Sequence, residues 1–589
     1  FFSYYPREMS SLERFCKRKD NSWVNHLDVD PEWENYKPNK TSREVKSGHY
    51  VFVDPTPLPD PVLIALSNEL LEELELDEKE CESDDRFLRY FSGDSTGFSD
   101  FDFTETWATP YALSIYGTDY IQNCPFGTGN GYGDGRAVSV GEIVLPNGKR
   151  WEFQLKGGGQ TPFCRGADGR AVLRSSVREF LVSEAMYHLG VSTTRALSLI
   201  VSGSETVKRP WYQKSGENEE KYNEMLGRLP EAYRQILIQR MRDANVLVDN
   251  QTAITCRVSP SFTRVGHIQL FERRAREDSS RVGELEKLVK HTLFREYPEI
   301  DKEDIPFQDK VLLMLEEASA RISKLTADWI RVGFCQGNFN SDNCLVAGRT
   351  MDYGPFGFIE KFTPLWNMWI GGGDHFGFLN QPDAGHKNFT SLAKAMEPLL
   401  DKNGIKEARN IAEKHAISAQ RALQICWKKK LGISFWNSSV AELLNTGFGI
   451  LQLASIDYTM FWRQLACLPI LMKGDLSDEQ LLLAMGEIYY EPLSPCNRDK
   501  IVKWLRDWMK LVNEEMEKSE KSLQDISTAM KNASPKYIPR EWILVECYSA
   551  AIEGDYSLID ELYQLFKNPY DEQSPEMEAK YYKKAPAEV

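Results

Sequence analysis

No Cys-x-x-Cys pair occurs among the 11 cysteines of the chain, and their spacing is irregular. That argues against a zinc site and against a secreted disulfide scaffold, and favours a reducing compartment with most thiols free. No apolar run approaches the ~18–20 residues that a membrane span requires. The best stretch, Leu451 to Met472, is broken by Asp457, Arg463 and Gln464, so no membrane span is expected. Positive charge is in deficit: 71 Lys+Arg stand against 87 Asp+Glu, a formal charge of −16. A surface that acidic repels phosphodiester backbones and anionic lipid, which excludes nucleic acid as a main partner unless a local basic groove exists. No internal repeat is found. The N-x-[ST] matches at Asn39, Asn250, Asn388, Asn437 and Asn532 are no more than chance supplies.

What is present suits a large folded protein. Apolar residues make up 42% and aromatics 12% of 589 residues, enough for sizeable cores and for roughly three to four domain-sized units. Pro55, Pro57, Pro59 and Pro61 favour extended backbone. Asp60-Pro61 then reads as the start of a helix carrying Val62, Leu66, Leu70 and Leu74. Ala137 to Ile143 and Trp151 to Lys156 flank the turn signal Pro146-Asn147-Gly148, a hairpin pattern. Leu173, Val177, Phe180 and Leu181 mark an amphipathic helix running to about Leu189 and closed by Gly190. Strands are expected at Thr194 to Val201, Ala253 to Val258 and Gly266 to Phe271, with a charge-dense helical insertion at about 204–250. Beyond Arg281 the pattern is mostly helical, apart from a loop-rich block from Gly333 to Phe358 and a glycine cluster from Gly371 to Gly377. The fold class is therefore α+β: strands around one helix, a loop-rich site, then helices, in two lobes with a helical tail.

Three clusters could carry chemistry. Glycines alternate from Gly127 to Gly135 and are followed by Arg136. Backbone without Cβ approaches phosphate oxygens closely, and Arg adds a bidentate donor; taken alone, the loop fits a flexible turn at least as well. Lys156 closes a strand and Glu179 lies in the next helix, the arrangement by which kinase-like folds grip phosphates; an edge-strand Lys and a solvated Glu are the alternative. Asn340-Ser-Asp342-Asn343 precedes Asp352-Tyr353-Gly354. Asn343 and Asp352 are hard oxygen ligands of the type Mg²⁺ prefers, and Asp342 is placed to accept a proton; both segments also make good Asx turns. Arg257 and Arg264 flank Ser259-Pro260-Ser261 and could reach one anion. His375 beside Asp374 reads as a structural histidine, and Cys164, Cys335 and Cys344 have no paired His.

In this order the motifs resemble the selenoprotein O family, protein adenylyltransferases on a pseudokinase fold. Asp54-Pro-Thr-Pro-Leu, Gly133-Asp-Gly-Arg136, Gln154-Leu-Lys-Gly, Ala167-Asp-Gly-Arg170, the Leu173–Leu181 block, Ser183-Glu-Ala-Met and Asp352-Tyr-Gly-Pro-Phe-Gly-Phe358 carry the resemblance, from about Asp54 to Tyr570. It implies a protein-kinase-like two-lobed fold. Residues 1–105 would form an N-terminal extension, 106–284 the N-lobe, 285–475 the C-lobe with the metal site, and 476–589 a helical C-terminal region. It implies ATP held in reverse, with AMP passing to Ser, Thr or Tyr hydroxyls of protein substrates and pyrophosphate leaving. Carried over, Lys156, Arg257 and Arg264 hold phosphates and Glu179 positions Lys156. Gly133, Gly135, Arg136, Asp168 and Gly169 line the nucleotide site. Asn343 and Asp352 bind Mg²⁺, with Mn²⁺ as an alternative, and Asp342 is the base. Three departures stand out: the segment from Cys124 to Tyr132 lacks the family's usual His and Trp, Gln336 stands where a His is common, and the C-terminal Cys or selenocysteine motif is missing. The chain begins at Phe1, so any targeting signal would be out of sight; the resemblance implies mitochondria in a eukaryote and cytoplasm in a bacterium. Two other readings remain, a catalytically silent nucleotide-binding scaffold and a conventional kinase, the latter without a His-Arg-Asp loop before Asp352.

Overall fold

The structure is a computed structural model that describes residues 9–211, 246–369 and 373–586. It is an α+β fold. In chain order the strands are β1 (Val51–Phe52), β2 (Pro61–Leu66), β3 (Trp107–Ala108), β4 (Ser114–Ile115), β5 (Thr118–Asp119), β6 (Ala137–Val144), β7 (Arg150–Lys156), β8 (Ala171–Val172), β9 (Arg195–Trp211), β10 (Val246–Ser259), β11 (Phe334–Gln336) and β12 (Phe356–Phe358). The main sheet runs β1-β3-β6-β7-β10-β9-β2, with β8 paired to β10, and the β4-β5 and β11-β12 pairs stand apart from it. Its pairings are antiparallel.

Register decides which side chains meet. Lys156 lies opposite Thr255, and Gln154 lies opposite Arg257. Because side chains alternate faces, Lys156 and Arg257 are diagonal neighbours on one face. The other face takes the intervening apolar residues: Phe153, Leu155, Ile254, Cys256 and Val258 share a core with Leu12, Phe15, Leu70, Phe87 and Phe91 of the N-terminal segment. The sheet is thus covered by the N-terminal segment on one side, leaving the other for the helix Leu173–His188 and the site. That helix packs on β9 and β10. Two helices from the far end of the chain, Glu541–Ile552 and Ser557–Lys567, return to pack against it. A second core joins the end of the long helix Lys402–Leu431 to Tyr458, Trp462, Trp504 and Trp508.

The hairpin and the helix beginning at Leu173 form as the pattern predicts, with Gly148 and Gly190 both at positive φ. Three expectations need correction. Pro61–Leu66 is a strand, not a helix: Pro61-Val-Leu-Ile-Ala-Leu66 pairs along β9, and the helix starts only at Asn68, where the Ser67 hydroxyl accepts from Leu70 N. Gly266 to Phe271 is helical, within Val265–Glu277, because Val265, Ile268 and Phe271 repeat at helical spacing and bury together. The described ends of the expected helical insertion, 204–211 and 246–250, are strand arms of β9 and β10. The rest of that insertion, and Gly371 and Gly372 of the glycine cluster, lie outside the described residues. None of the described helices is long and apolar enough to cross a membrane. All 11 cysteines are free.

Candidate active site

The proposed residues converge on one cleft of about 720 Å³. Gly133, Gly135, Arg136, Lys156, Asp168, Gly169, Arg257, Arg264, Asp342, Asn343 and Asp352 all line it. Glu179 lies behind the wall, 1% exposed. In a chain of charge −16, seven cationic side chains face this cleft against four carboxylates.

The innermost group is a four-membered knot. Glu179 accepts from both Lys156 Nζ and Arg257 Nε. Asp352 Oδ1 accepts from Lys156 Nζ at 3.0 Å and from Arg257 Nη2 at 2.8 Å. Each cation is therefore gripped by a carboxylate from the helix Leu173–His188 and another from the loop after β11. Burial alone would raise the Asp352 carboxyl, but Lys156, Arg257 and Arg136 outweigh it and hold the group well below the usual carboxylate range. Burial lowers the Lys156 ammonium, against the pull of Asp352 and Glu179. The knot fixes two cations facing the cleft without leaving either charge buried alone.

Arg264 forms an ion pair with Asp134 Oδ1 at 2.6 Å, and its guanidinium lies over the Tyr111 ring at 4.4 Å. Asp168 is held by a bidentate pair with Arg209, both contacts at 2.7 Å, and that bonding lowers its carboxyl. Arg209 comes from the β9 arm, so the hairpin extension reaches the cleft.

Asp342 lines the cleft from the loop that hydrogen-bonds the start of the helix Val265–Glu277. Burial pushes its carboxyl up to about 6, Arg264 opposes that rise and Asp352 adds to it. Its Oδ1 is buried and has no hydrogen-bond partner among the described residues, and the same holds for the side-chain oxygens of Asn338 and Asn340. Asn343 donates Nδ2 to Asn338 O at 2.9 Å, so its amide oxygen is the atom that could ligate a cation. Asp352 Oδ2 takes one bond, from Gly354 N at 3.2 Å. The described residues contain no cluster of three or more His, Cys, Asp or Glu able to hold a metal by themselves. One carboxylate and one amide oxygen beside a phosphate-sized cleft is nevertheless the donor set Mg²⁺ takes when substrate oxygens complete its shell, so these residues fit it.

Sequence reasoning overlooked Tyr111, Asp134, Arg165, Arg170, Arg209 and Asn338, which line the same cleft. Asp134 and Arg170 had a local signal, lying inside Gly133-Asp-Gly-Arg136 and Ala167-Asp-Gly-Arg170. His375 is a ring contact of Tyr116 and Phe376, in keeping with a structural role.

Known proteins bear on this arrangement. A family model described as protein adenylyltransferase SelO matches residues 34–216 and 239–567. A protein nucleotidyltransferase YdiU of Methylobacillus flagellatus is 33% identical over 561 residues, covering 94% of each chain. Its namesakes in Aromatoleum aromaticum and Rhodopirellula baltica are 34% and 32% identical, again over 94% of each chain. The fold and cleft thus belong to an enzyme of the nucleotidyltransferase class. Within that class, the chain is a member of the SelO family of protein adenylyltransferases.

Proposed function

We propose that the protein transfers AMP from ATP to Ser, Thr or Tyr hydroxyls of other proteins, with ATP lodged tail-inward between two kinase-like lobes at 106–284 and 285–475. The observation that carries this reading is the knot: two buried cations, Lys156 and Arg257, cross-braced by Glu179 and Asp352 beside a cleft rich in arginine. Such a site suits the β- and γ-phosphates, where charge accumulates on the leaving pyrophosphate. The α-phosphorus would then face the acceptor.

In the transfer, the acceptor oxygen bonds to the α-phosphorus, the bond from that phosphorus to the α,β-bridging oxygen breaks, and pyrophosphate leaves. The acceptor proton goes to Asp342. That carboxylate is ionised at neutral pH, yet burial makes it more basic than an exposed one. Asn343 and Asp352 would hold Mg²⁺, or Mn²⁺, which when bound neutralises phosphate charge. Glu179 positions Lys156 and Arg257, and Arg264 and Arg136 supply further positive charge. The bacterial relatives favour a cytoplasmic setting.

Incubation with ATP labelled at the α or the γ position, and with a mixed protein acceptor pool, tests the reading. Label on protein from the α position alone is expected. Transfer from the γ position alone would establish a kinase, and transfer from neither a silent scaffold; both outcomes overturn the proposal.

A further inference from the structure

Arg264 is 2% exposed, and its guanidinium Nε has no hydrogen-bond partner among the described residues. Arg264 also lines the cleft, so a buried donor left unpaired there is available to a ligand, provided the guanidinium is held in place. A closed ring of contacts does this. The Arg264 backbone N–H donates to His267 Nδ1 at 3.0 Å. His267 Nε2 lies 2.9 Å from Thr109 Oγ1. Thr109 Oγ1 in turn donates to Asp134 Oδ2, and Asp134 Oδ1 returns to Arg264 Nη2 at 2.6 Å.

Donor and acceptor counts fix the direction of the three hydrogen bonds, and the Arg264–Asp134 contact is an ion pair. His267 Nδ1 accepts, so the ring proton sits on Nε2 and is given to the Thr109 oxygen. The Thr109 hydroxyl proton is then free for only one use, the Asp134 carboxylate. Thr109 grips the same residue a second time, because its backbone O accepts from Asp134 N at 3.0 Å. Gly133 permits that approach: at φ +156 a Cβ there would lie 2.4 Å from Thr109 O. Tyr111 closes the remaining side, with its ring against both Arg264 and His267. The ring gathers the segment before β4, the glycine loop and the start of the helix Val265–Glu277. His267, the third helical residue, satisfies the N-cap backbone N–H as a Glu or Gln does in a capping box.

We propose that Thr109, Asp134 and His267 are positioning residues that hold the Arg264 guanidinium in one orientation toward the phosphates of the bound nucleotide. The inference rests on the reading of the cleft as an ATP site, but not on which phosphate is transferred.

Calorimetric titration with ATP and with adenosine separates phosphate grip from general integrity. Thr109→Val removes the one hydroxyl that links His267 to Asp134, and about a tenfold loss of ATP affinity is expected, with adenosine affinity unchanged. Thr109→Ser restores the hydroxyl and should recover ATP affinity. In an Arg264→Ala background, Thr109→Val should add nothing. Equal losses for ATP and adenosine, no recovery in Thr109→Ser, or a persisting effect without Arg264 would each overturn the proposal. So would an unchanged ATP affinity in Arg264→Ala alone, a result that leaves AMP transfer, read by the position of label, untouched. On the unaltered protein, ¹⁵N-histidine NMR gives a readout independent of any variant: His267 protonated at Nδ1 instead of Nε2 would break the ring.

Discussion

Lys430 closes the long helix Lys402–Leu431 at 1% exposure, with no carboxylate partner among the described residues. Its ammonium lies 5.6 Å from the Tyr458 ring centre and 5.2 Å from that of Trp462, and 3.5 Å from Ser534 Oγ. Burial pushes it down to about 7 from an ordinary value of 10.5. Below pH 7 both the folded and unfolded chains carry the proton, and the folded state bears the full burden of a buried charge. Between about 7 and 10.5 the unfolded chain binds one proton more than the folded one, so stability rises with pH across that window. At about 1.4 kcal/mol per pH unit, the whole window is worth about 5 kcal/mol. Ring faces attract a cation by about 1–2 kcal/mol, too little to offset this. Lys430→Met keeps the volume and removes the charge. The variant should show a higher thermal midpoint than the parent near neutral pH, and the gap should shrink by more than half between about pH 7 and pH 9. Thermal scans of both proteins across that range measure it. Parallel midpoints, or a variant less stable at neutral pH, would refute the reasoning.

Two further substitutions probe the site. Asp352→Asn removes one of the two carboxylates that hold Lys156 and Arg257, along with the anionic ligand proposed for the metal. AMP transfer should fall about 10²-fold or more, and the unbalanced buried cations should lower stability by about 3 kcal/mol; label incorporation and a thermal scan read the two effects. Gly266→Ala places a Cβ 2.4 Å from Ala112 O, at the point where Gly266 N also bonds Ser341 O at 2.9 Å. It should destabilise the protein by about 1–3 kcal/mol and weaken ATP binding, because this is where the Arg264 helix docks on the loop of Asp342. Parent-like melting and affinity would show that the close approach is unimportant.

The parts of this architecture that were legible in the sequence are those fixed by local chemistry. The β6–β7 hairpin follows from alternation around Pro146-Asn147-Gly148, and the Leu173 helix from its apolar stripe and closing Gly190. Lys156, Glu179, Asn343 and Asp352 were legible as motifs; β7–β10 register brings Lys156 beside Arg257, while Glu179 and Asp352 reach them from the Leu173 helix and the loop after β11, contacts that no single segment displays. Pro61–Leu66 was misread because Val62, Leu66, Leu70 and Leu74 fit helical spacing, while the pairing with β9 that overrides it lies more than a hundred residues away. Ser67, the true cap, was the signal missed. Gly266 to Phe271 was too short for its period to be told apart. The cap that reveals its helix depends on His267 reaching back to Arg264, a bond that helix-start signals built on Ser, Thr, Asp and Glu do not anticipate.

If the cleft takes a triphosphate, as proposed, its charge pattern calls for a divalent cation in the electrostatic balance. Of the seven lining cations, Lys156 and Arg257 are matched by Glu179 and Asp352, Arg264 by Asp134, Arg209 by Asp168, and Arg170 by Glu205 at 2.9 Å. Among the described residues, Arg136 and Arg165 alone have no carboxylate within ion-pair distance, Arg165 donating instead to the Tyr132 hydroxyl at 2.6 Å. Five cations are thus braced in place; the other two stand against the unpaired Asp342 carboxylate, a net surplus of one. A triphosphate brings more negative charge than two arginines answer, and its oxygens enter a cleft where the carboxylates already engaged cannot leave. Under the proposed function, the oxygens of Asp352 and Asn343, beside an unpartnered Asp342 oxygen, would be where the missing positive charge binds. In the proposed reaction the braced cations would set the orientation of the phosphates, and Asp352 and Asn343 would hold the metal that supplies the remaining neutralisation.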